Sequence, residues 1–398
     1  MKKIIILILS IFLLTGCYNY KELNDAAIVS AIAIDKCDDN INHLSVSVQI
    51  MNAKKDEESS QSEITFYKAC GETIYESLQS ITLDSPKELY LGDNEVIIIS
   101  EELLKDKDPL SYLDYFLRDA KSEKDSLILI AKDTKAYNTL KILTPLETIP
   151  SQNIKSSLYT SSKYAGLTNI TTLDEFVSQL INKGEEVILP SLEIIGDIKE
   201  GENIDNLSQS DPKAKIKFSD LGVFKNNKLL GYLNNEDSLG YNLIKNEANN
   251  SYINFKCDNE SYSSIRIESS KTKEEIKFID NTPTVYLNNE LVFDLIEYNC
   301  SGSFTDDTKL IEKIEKEASK KTDELINNIV DKLYKEYEID TLNYGSKFYK
   351  HYNKKLKKYN IKRNDIKNHI KFNIKTKAKL NSTELTIKSI IKGDYNDK

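Results

Sequence analysis

The chain contains no tryptophan, three histidines and two methionines. Arginine is scarce as well, with Arg118, Arg266 and Arg363 its only positions, so lysine carries nearly all the positive charge. His43, His351 and His369 lie far apart and form no H-E-x-x-H pair, so the helical signature of a zinc hydrolase is missing. Thirteen glycines occur, but in neither G-x-G-x-x-G nor G-x-x-x-x-G-K-[ST], the loops that cradle nucleotide phosphates. The G-x-S-x-G elbow of a serine hydrolase is absent too. Five cysteines, at positions 17, 37, 70, 257 and 300, show no C-x-x-C spacing, which removes the usual zinc and thiol-redox motifs. Acidic residues number 63, and a pair picked from so many has no specificity; a solvated face is the simpler account. No catalytic residue, cofactor site or metal site is therefore assigned. Beyond residue 14 there is no long apolar run.

What is present begins at the N-terminus. Lys2 and Lys3 precede an apolar stretch, Ile4 to Leu14, broken only by Ser10. It is too short to cross a bilayer as a helix, which takes roughly 20 apolar residues, but suits the apolar region of a signal peptide. Leu14-Thr15-Gly16-Cys17 closes it, and leucine, small, small, cysteine resembles the lipobox of bacterial lipoproteins. That resemblance implies a signal peptide over residues 1–16, removed on export, and a diacylglycerol on the Cys17 thiol. Two acyl chains meet the usual requirement for stable membrane attachment. Export would permit disulfides among Cys37, Cys70, Cys257 and Cys300, but their pairing cannot be read from sequence, and cysteines so scattered are expected as buried thiols.

A chain of 398 residues, 39% hydrophobic, is too long for one ordinary core and predicts two or three domains. Residues 26–50 read as a β-hairpin. Its first strand has the continuous apolar run of a strand covered on both faces; its second alternates Leu44, Val46, Val48 and Ile50 with Ser45, Ser47 and Gln49, as a half-buried strand does. Residues 52–63 are polar and read as an exposed loop. Ile74, Leu78 and Ile81 share one helical face. Strands are predicted within 89–99 and over 127–131. Helices are predicted from Asp108-Pro109, over 135–143 and over 173–182, and 146–172 reads as Ser/Thr-rich turns. This alternation predicts an α/β (α+β), multidomain chain of mixed or antiparallel sheets with packed helices. An N-terminal α/β domain is expected over 17–195, a linker at 196–215, and a C-terminal α+β domain over 216–398, with a possible division near 300. In that last part, Asn226-Asn227 and Asn288-Asn289 each lie between apolar runs and read as hairpin turns. A long amphipathic helix is predicted over 307–338, a shorter one over 343–358, then strands at 370–374 and 385–387.

Charge is unevenly spread. From Lys347 to Lys379 thirteen basic residues face one acid, Asp365, while the rest of the chain holds 41 basic and 62 acidic residues. Aromatic residues are interleaved, as in nucleic-acid-binding segments. Export removes that partner, so no nucleic acid is expected. Two accounts stay open: a basic surface facing anionic head groups or an acidic protein, and a lysine-rich solvated surface.

The residues from Gly16 onward carry a further resemblance. Gly16-Cys17-Tyr18-Asn19-Tyr20-Lys21-Glu22-Leu23, then Ala26-Ala27-Ile28-Val29 and Ile34-Asp35-Lys36, resemble the start of the Ger(x)C family, the C-subunit lipoproteins of spore germinant receptors. Similar stretches follow in order: Gly71 to Leu78, Leu91 to Ile98, Phe116 to Asp119, Gly222-Val223-Phe224, Lys228 to Leu233, and Asp340 to Tyr349. Tyr18 stands where members usually have tryptophan, and Asp93 where many have histidine. The resemblance implies an α/β fold in several domains and no enzymatic activity. It implies a lipid-anchored post on the outer face of the spore inner membrane. A- and B-type integral-membrane subunits are the implied partners, with nutrients as the trigger. The rival expectations are a substrate-binding lipoprotein of a membrane transporter and an exported cell-wall enzyme.

Overall fold

The computed structural model describes residues 26–52, 63–182, 186–256, 261–299 and 308–383. Cys17 and the predicted signal peptide, Cys257, Cys300, the predicted strand at 385–387 and most of the predicted loop at 52–63 lie outside them.

Two sheets organise the described chain. The first is mixed, in the order β3-β2-β1-β5-β6-β7-β8-β9, with β4 beside the start of β1. Its strands are β1 (Ala26–Lys36), β2 (Leu44–Met51), β3 (Ile64–Gly71), β4 (Glu88–Tyr90), β5 (Val96–Ser100), β6 (Leu127–Ala131), β7 (Ile188–Gly196), β8 (Ala214–Lys225) and β9 (Lys228–Leu233). Its centre, β1-β5-β6-β7, is parallel, as helical crossovers require. Helices α1 (Ile74–Asp84), α2 (Glu101–Asp106), α3 (Leu110–Arg118) and α6 (Leu173–Ile181) belong with the core that takes Ile32, Ile34, Ile97, Ile99 and Ile128. The opposite face holds Ala31, Ala33, Val96, Ile98 and Leu129 against α4 (Ala136–Thr139) and α5 (Pro150–Ala165). Both faces of β5 and β6 are covered, which is why Val96 to Ile99 and Leu127 to Ala131 are apolar without alternation.

Helix α5 corrects the reading of 146–172 as turns. Only Ile154 and Leu158 make its apolar stripe, so periodicity is faint. Its ends were nevertheless signed: Pro150 occupies the first turn, and Gly166 caps the end in the left-handed region at φ 59°. The same half corrects β2 as a half-solvated strand. Ser45, Ser47 and Gln49 are fully buried. Gln49 donates to Ser30 Oγ at 2.8 Å and to Ser151 Oγ at 2.9 Å, so the start of α5 closes over this polar face. The predicted helix at 135–143 is shorter than expected, ending at Thr139. Cys37 and Cys70 form a disulfide across the β1-β2-β3 end of the sheet, with Cα atoms 5.8 Å apart, which replaces the expectation of free thiols at these two positions.

Residues 196–215 are not an extended linker. Gly196 pairs with Ala214 as β7 and β8 meet antiparallel, so the first sheet runs on to Leu233. The excursion between them folds into α7 (Ile198–Gly201) and α8 (Asp205–Ser208). Asn206 holds it, donating to Leu143 O and Ala214 O and accepting from Lys213 N at 2.7 Å.

The second sheet has the order β10-β11-β12-β13, with β10 (Tyr252–Lys256), β11 (Tyr262–Ile279), β12 (Thr282–Tyr298) and β13 (Lys371–Ser382). Its helices are α9 (Asn235–Lys245), α10 (Thr308–Asp331), which continues through a π-helical turn at Lys332–Glu336, and α11 (Tyr344–Lys358); a 3-10 segment, Arg363–His369, leads into β13. Asn226 and Asn227 do turn the β8-β9 hairpin, at φ 52° and 61°. Asn288-Asn289 do not turn. They lie inside β12, where Asn289 donates to Ser270 Oγ and Thr272 Oγ1, each at 2.8 Å. The real turn is Asp280-Asn281, at φ 45° and 64°.

Candidate functional site

The two sheets meet at a polar joint. Asp340 follows the π-helical turn and precedes α11. Its carboxylate accepts from the Tyr334 hydroxyl, from Tyr344 N at 3.0 Å and from Gly345 N at 2.5 Å. Two N–H groups of the first turn of α11, which have no partner within the helix, are satisfied in this way. Burial pushes the Asp340 carboxyl above the usual carboxylate range, and the three hydrogen bonds oppose that rise. The N–H of Asp340 donates to Glu186 Oε2 at 2.7 Å, and Glu186 Oε1 holds Lys367 Nζ at 3.3 Å. Glu186 lies just before β7 in the first sheet; Asp340 and Lys367 belong to the second half. One carboxylate thus spans the joint. Asn227 adds a tie within the first half, donating to Asp108 Oδ2 at 3.0 Å.

Beside this joint opens a crevice of about 700 Å³. Leu110, Phe224, Asn226 and Asn227 wall it from the first half, and Gly345, Ser346 and Arg363 from the second. Its lining carries both signs of charge and contains no histidine or cysteine. Arg363 lies over the Tyr349 ring, 4.9 Å from its centre.

A second buried carboxylate, Asp35, sits in the Ile34-Asp35-Lys36 stretch. It accepts from Ala136 N at 2.7 Å and Tyr137 N at 3.0 Å. Burial raises its pKa against the pull of those bonds. Its work is to pin the start of α4 to β1.

The residues singled out in the sequence are dispersed. Cys17 lies outside the described residues. Among the described residues, no group of three or more His, Cys, Asp or Glu is placed to hold a metal ion. His43 approaches Glu72 at 3.9 Å, while His351 and His369 are exposed. The basic stretch 347–379 does not make one patch. Lys347 pairs with Glu274 at 2.6 Å and Lys367 with Glu186, whereas Lys371, Lys375, Lys377 and Lys379 stand exposed on β13. Sequence reasoning missed the joint. Asp340 ahead of a helix was a legible capping signal; Glu186, 154 residues away, carried none.

Comparison with known proteins supplies the rest. Residues 19–194 match the family described as spore germination protein N-terminal domain, and residues 219–384 the family described as spore germination B3/GerAC like, C-terminal. Spore germination protein KC of Bacillus subtilis (strain 168) is 29% identical over 360 residues, spanning 87% of each chain. Spore germination protein B3 of the same organism is 20% identical over 330 residues, spanning 82% of this chain and 83% of that one. The crystal structure of the GerBC protein superposes with a TM-score of 0.53 at 16% identity, covering 88% of this chain and 96% of that one, and so shares the fold. Matched in both halves and in the same order, the chain belongs to the Ger(x)C family of spore germination proteins.

Proposed function

We propose that the chain is the lipid-anchored C subunit of a nutrient germinant receptor, a non-catalytic scaffold or gating partner of A- and B-type integral-membrane subunits. The observation that carries this is the pair of family matches covering 19–194 and 219–384. The joint supports it physically. Glu186 couples the first sheet to the cap of α11, so a force applied to one half reaches the other through Asp340 and Lys367. None of the described helices is long and apolar enough to cross a membrane. Attachment is assigned to Cys17, exposed as the first residue when residues 1–16 are removed, and its location to the outer face of the spore inner membrane.

Replacing Cys17 by alanine tests the anchor. The variant is expected to leave the membrane fraction on a salt wash; full retention after the wash would contradict the lipid attachment. Nutrient-triggered germination of spores lacking the chain tests the role itself.

A further inference from the structure

Among the described residues the second sheet carries helices on one face only. On β13 that face presents Phe372, Ile374, Thr376, Ala378 and Leu380, half-buried or buried, and α10 reaches over to accept from Ala378 N (Ser319 Oγ, 2.9 Å) and Leu380 N (Glu315 Oε1, 3.0 Å). The opposite face is open, and Lys371, Asn373, Lys375, Lys377, Lys379 and Asn381 are all exposed on it. The register sets Lys375 beside Asn288 and Lys377 beside Glu290, then Asn288 beside Lys273 and Glu290 beside Lys271. Lys271, Lys273 and Lys277 of β11 therefore join the four lysines of β13 on a face with three acids, Glu275, Glu290 and Asp294. Those acids are engaged: Glu290 with Lys273 at 2.6 Å, Glu275 with Lys277 at 2.8 Å and Asp294 with Arg266 at 3.0 Å. Among the described residues Lys371 and Lys379 have no ion-pair partner, whereas Lys271 and Lys377 lie near enough to Glu290 to help lower its pKa and Lys375 pulls on Asp323 against the rise from burial.

Solubility does not account for the sign. Acids outnumber bases in this chain by 63 to 54, and a merely solvated face would reflect that excess. Lysine on an edge strand discourages unwanted pairing, which covers β13. β10 pairs only with Tyr262 to Arg266, so the stretch of β11 that holds Lys271 is an edge as well, and the rule reaches it in part. Alternate residues on a strand stand about 6.6 Å apart and neighbouring strands about 4.8 Å, so the free ammonium groups spread across a broad open face and not into a cleft.

We propose that this face docks on anionic phospholipid head groups as a second membrane contact of the chain. The proposal rests on the membrane-anchored reading and adds an orientation to it. Eight residues lie between Cys17 and Ala26, and the nine steps from one to the other span at most about 30 Å, so an anchored body stays near the head groups. The whole chain is at −9, so turning this face away from the lipid brings net negative surface toward it. A protein partner would call for apolar anchors at the centre of the face. The centre here is Lys273, Asn288 and Glu290, with Tyr286 and Val292 half-buried to either side along β12.

The test uses the chain from residue 17 with Cys17→Ser, which cannot carry the lipid, so its outcome is independent of the anchor tested above. Co-sedimentation is measured with phosphatidylcholine vesicles with and without phosphatidylglycerol, at low and high salt. Binding is expected only with phosphatidylglycerol, and lost at high salt. The triple variant Lys375→Glu, Lys377→Glu, Lys379→Glu is expected to weaken it by at least about a hundredfold, taking each lysine as roughly fivefold in partitioning. The same charge change on α11, at Lys350, Lys354 and Lys357, is expected to cost far less. Glutamine at the three β13 positions gives a milder loss in a fold that keeps its circular dichroism. Failure to bind anionic vesicles overturns the proposal in favour of an acidic protein partner. Equal losses in the β13 and α11 variants overturn it as well.

Discussion

Replacing Asp340 by alanine strips three donors of their acceptor at once: the Tyr334 hydroxyl and the N–H groups of Tyr344 and Gly345. Hydrogen bonds to a charged group contribute about 1.5–3 kcal/mol each, a gross loss of roughly 5–9 kcal/mol. Burial of the ionised carboxyl, the same effect that raises its pKa, offsets part of this. Water entering from the adjoining crevice offsets more at Gly345, which lines it. The expected net loss is about 3 kcal/mol, or about 6–12 °C in melting temperature for a half of this size. With no tryptophan in the chain, far-ultraviolet circular dichroism or tyrosine fluorescence follows the unfolding. Tyr334→Phe removes one donor and is expected to lose about 1 kcal/mol. The pH dependence has a definite sign. A carboxyl whose folded pKa is raised adds stability that is present below its unfolded value and lost as pH rises through the folded value. The wild type therefore gains from this group on acidification and Asp340→Ala does not, so their gap widens as pH falls toward about 4. A melting difference worth under about 1 kcal/mol, or a gap that narrows in acid, would refute the reasoning.

Two further effects follow from the same structure. Reduction of the Cys37–Cys70 disulfide, or Cys37→Ala with Cys70→Ala, opens a loop of sequence separation 33 and is expected to cost about 3–4 kcal/mol by chain entropy, read as a lower melting temperature. An unchanged melt in reductant would count against the bond. Gly240→Ala places a Cβ 2.5 Å from the Leu325 carbonyl oxygen, where α9 lies on α10, and is expected to destabilise by roughly 1–3 kcal/mol in urea unfolding; equal stability would show that the helices separate freely.

The legible parts of the fold were those with local signals. The doubly covered strands β5 and β6 announced themselves by unbroken apolar runs, and the Asn226-Asn227 turn by its left-handed residues. Asn288-Asn289 looked the same in sequence, but the hydroxyls of Ser270 and Thr272 on the neighbouring strand gave Asn289 buried partners and kept the chain extended. Helix α5 was hidden because only two of its residues face the core as large apolar groups. That one omission also hid why Ser45, Ser47 and Gln49 are buried. The joint was illegible because its members sit far apart along the chain, and the open lysine face because β11 supplies one of its three rows. The sequence window 347–379 caught only the part from β13.

The central claim is that the chain acts at a nutrient receptor of the spore. Its most direct test is germination, followed by loss of optical density, of spores lacking this chain, given nutrients in one arm and a trigger that bypasses receptors in the other. The account predicts that the nutrient response is lost while the bypass response survives. A normal nutrient response in such spores would contradict it.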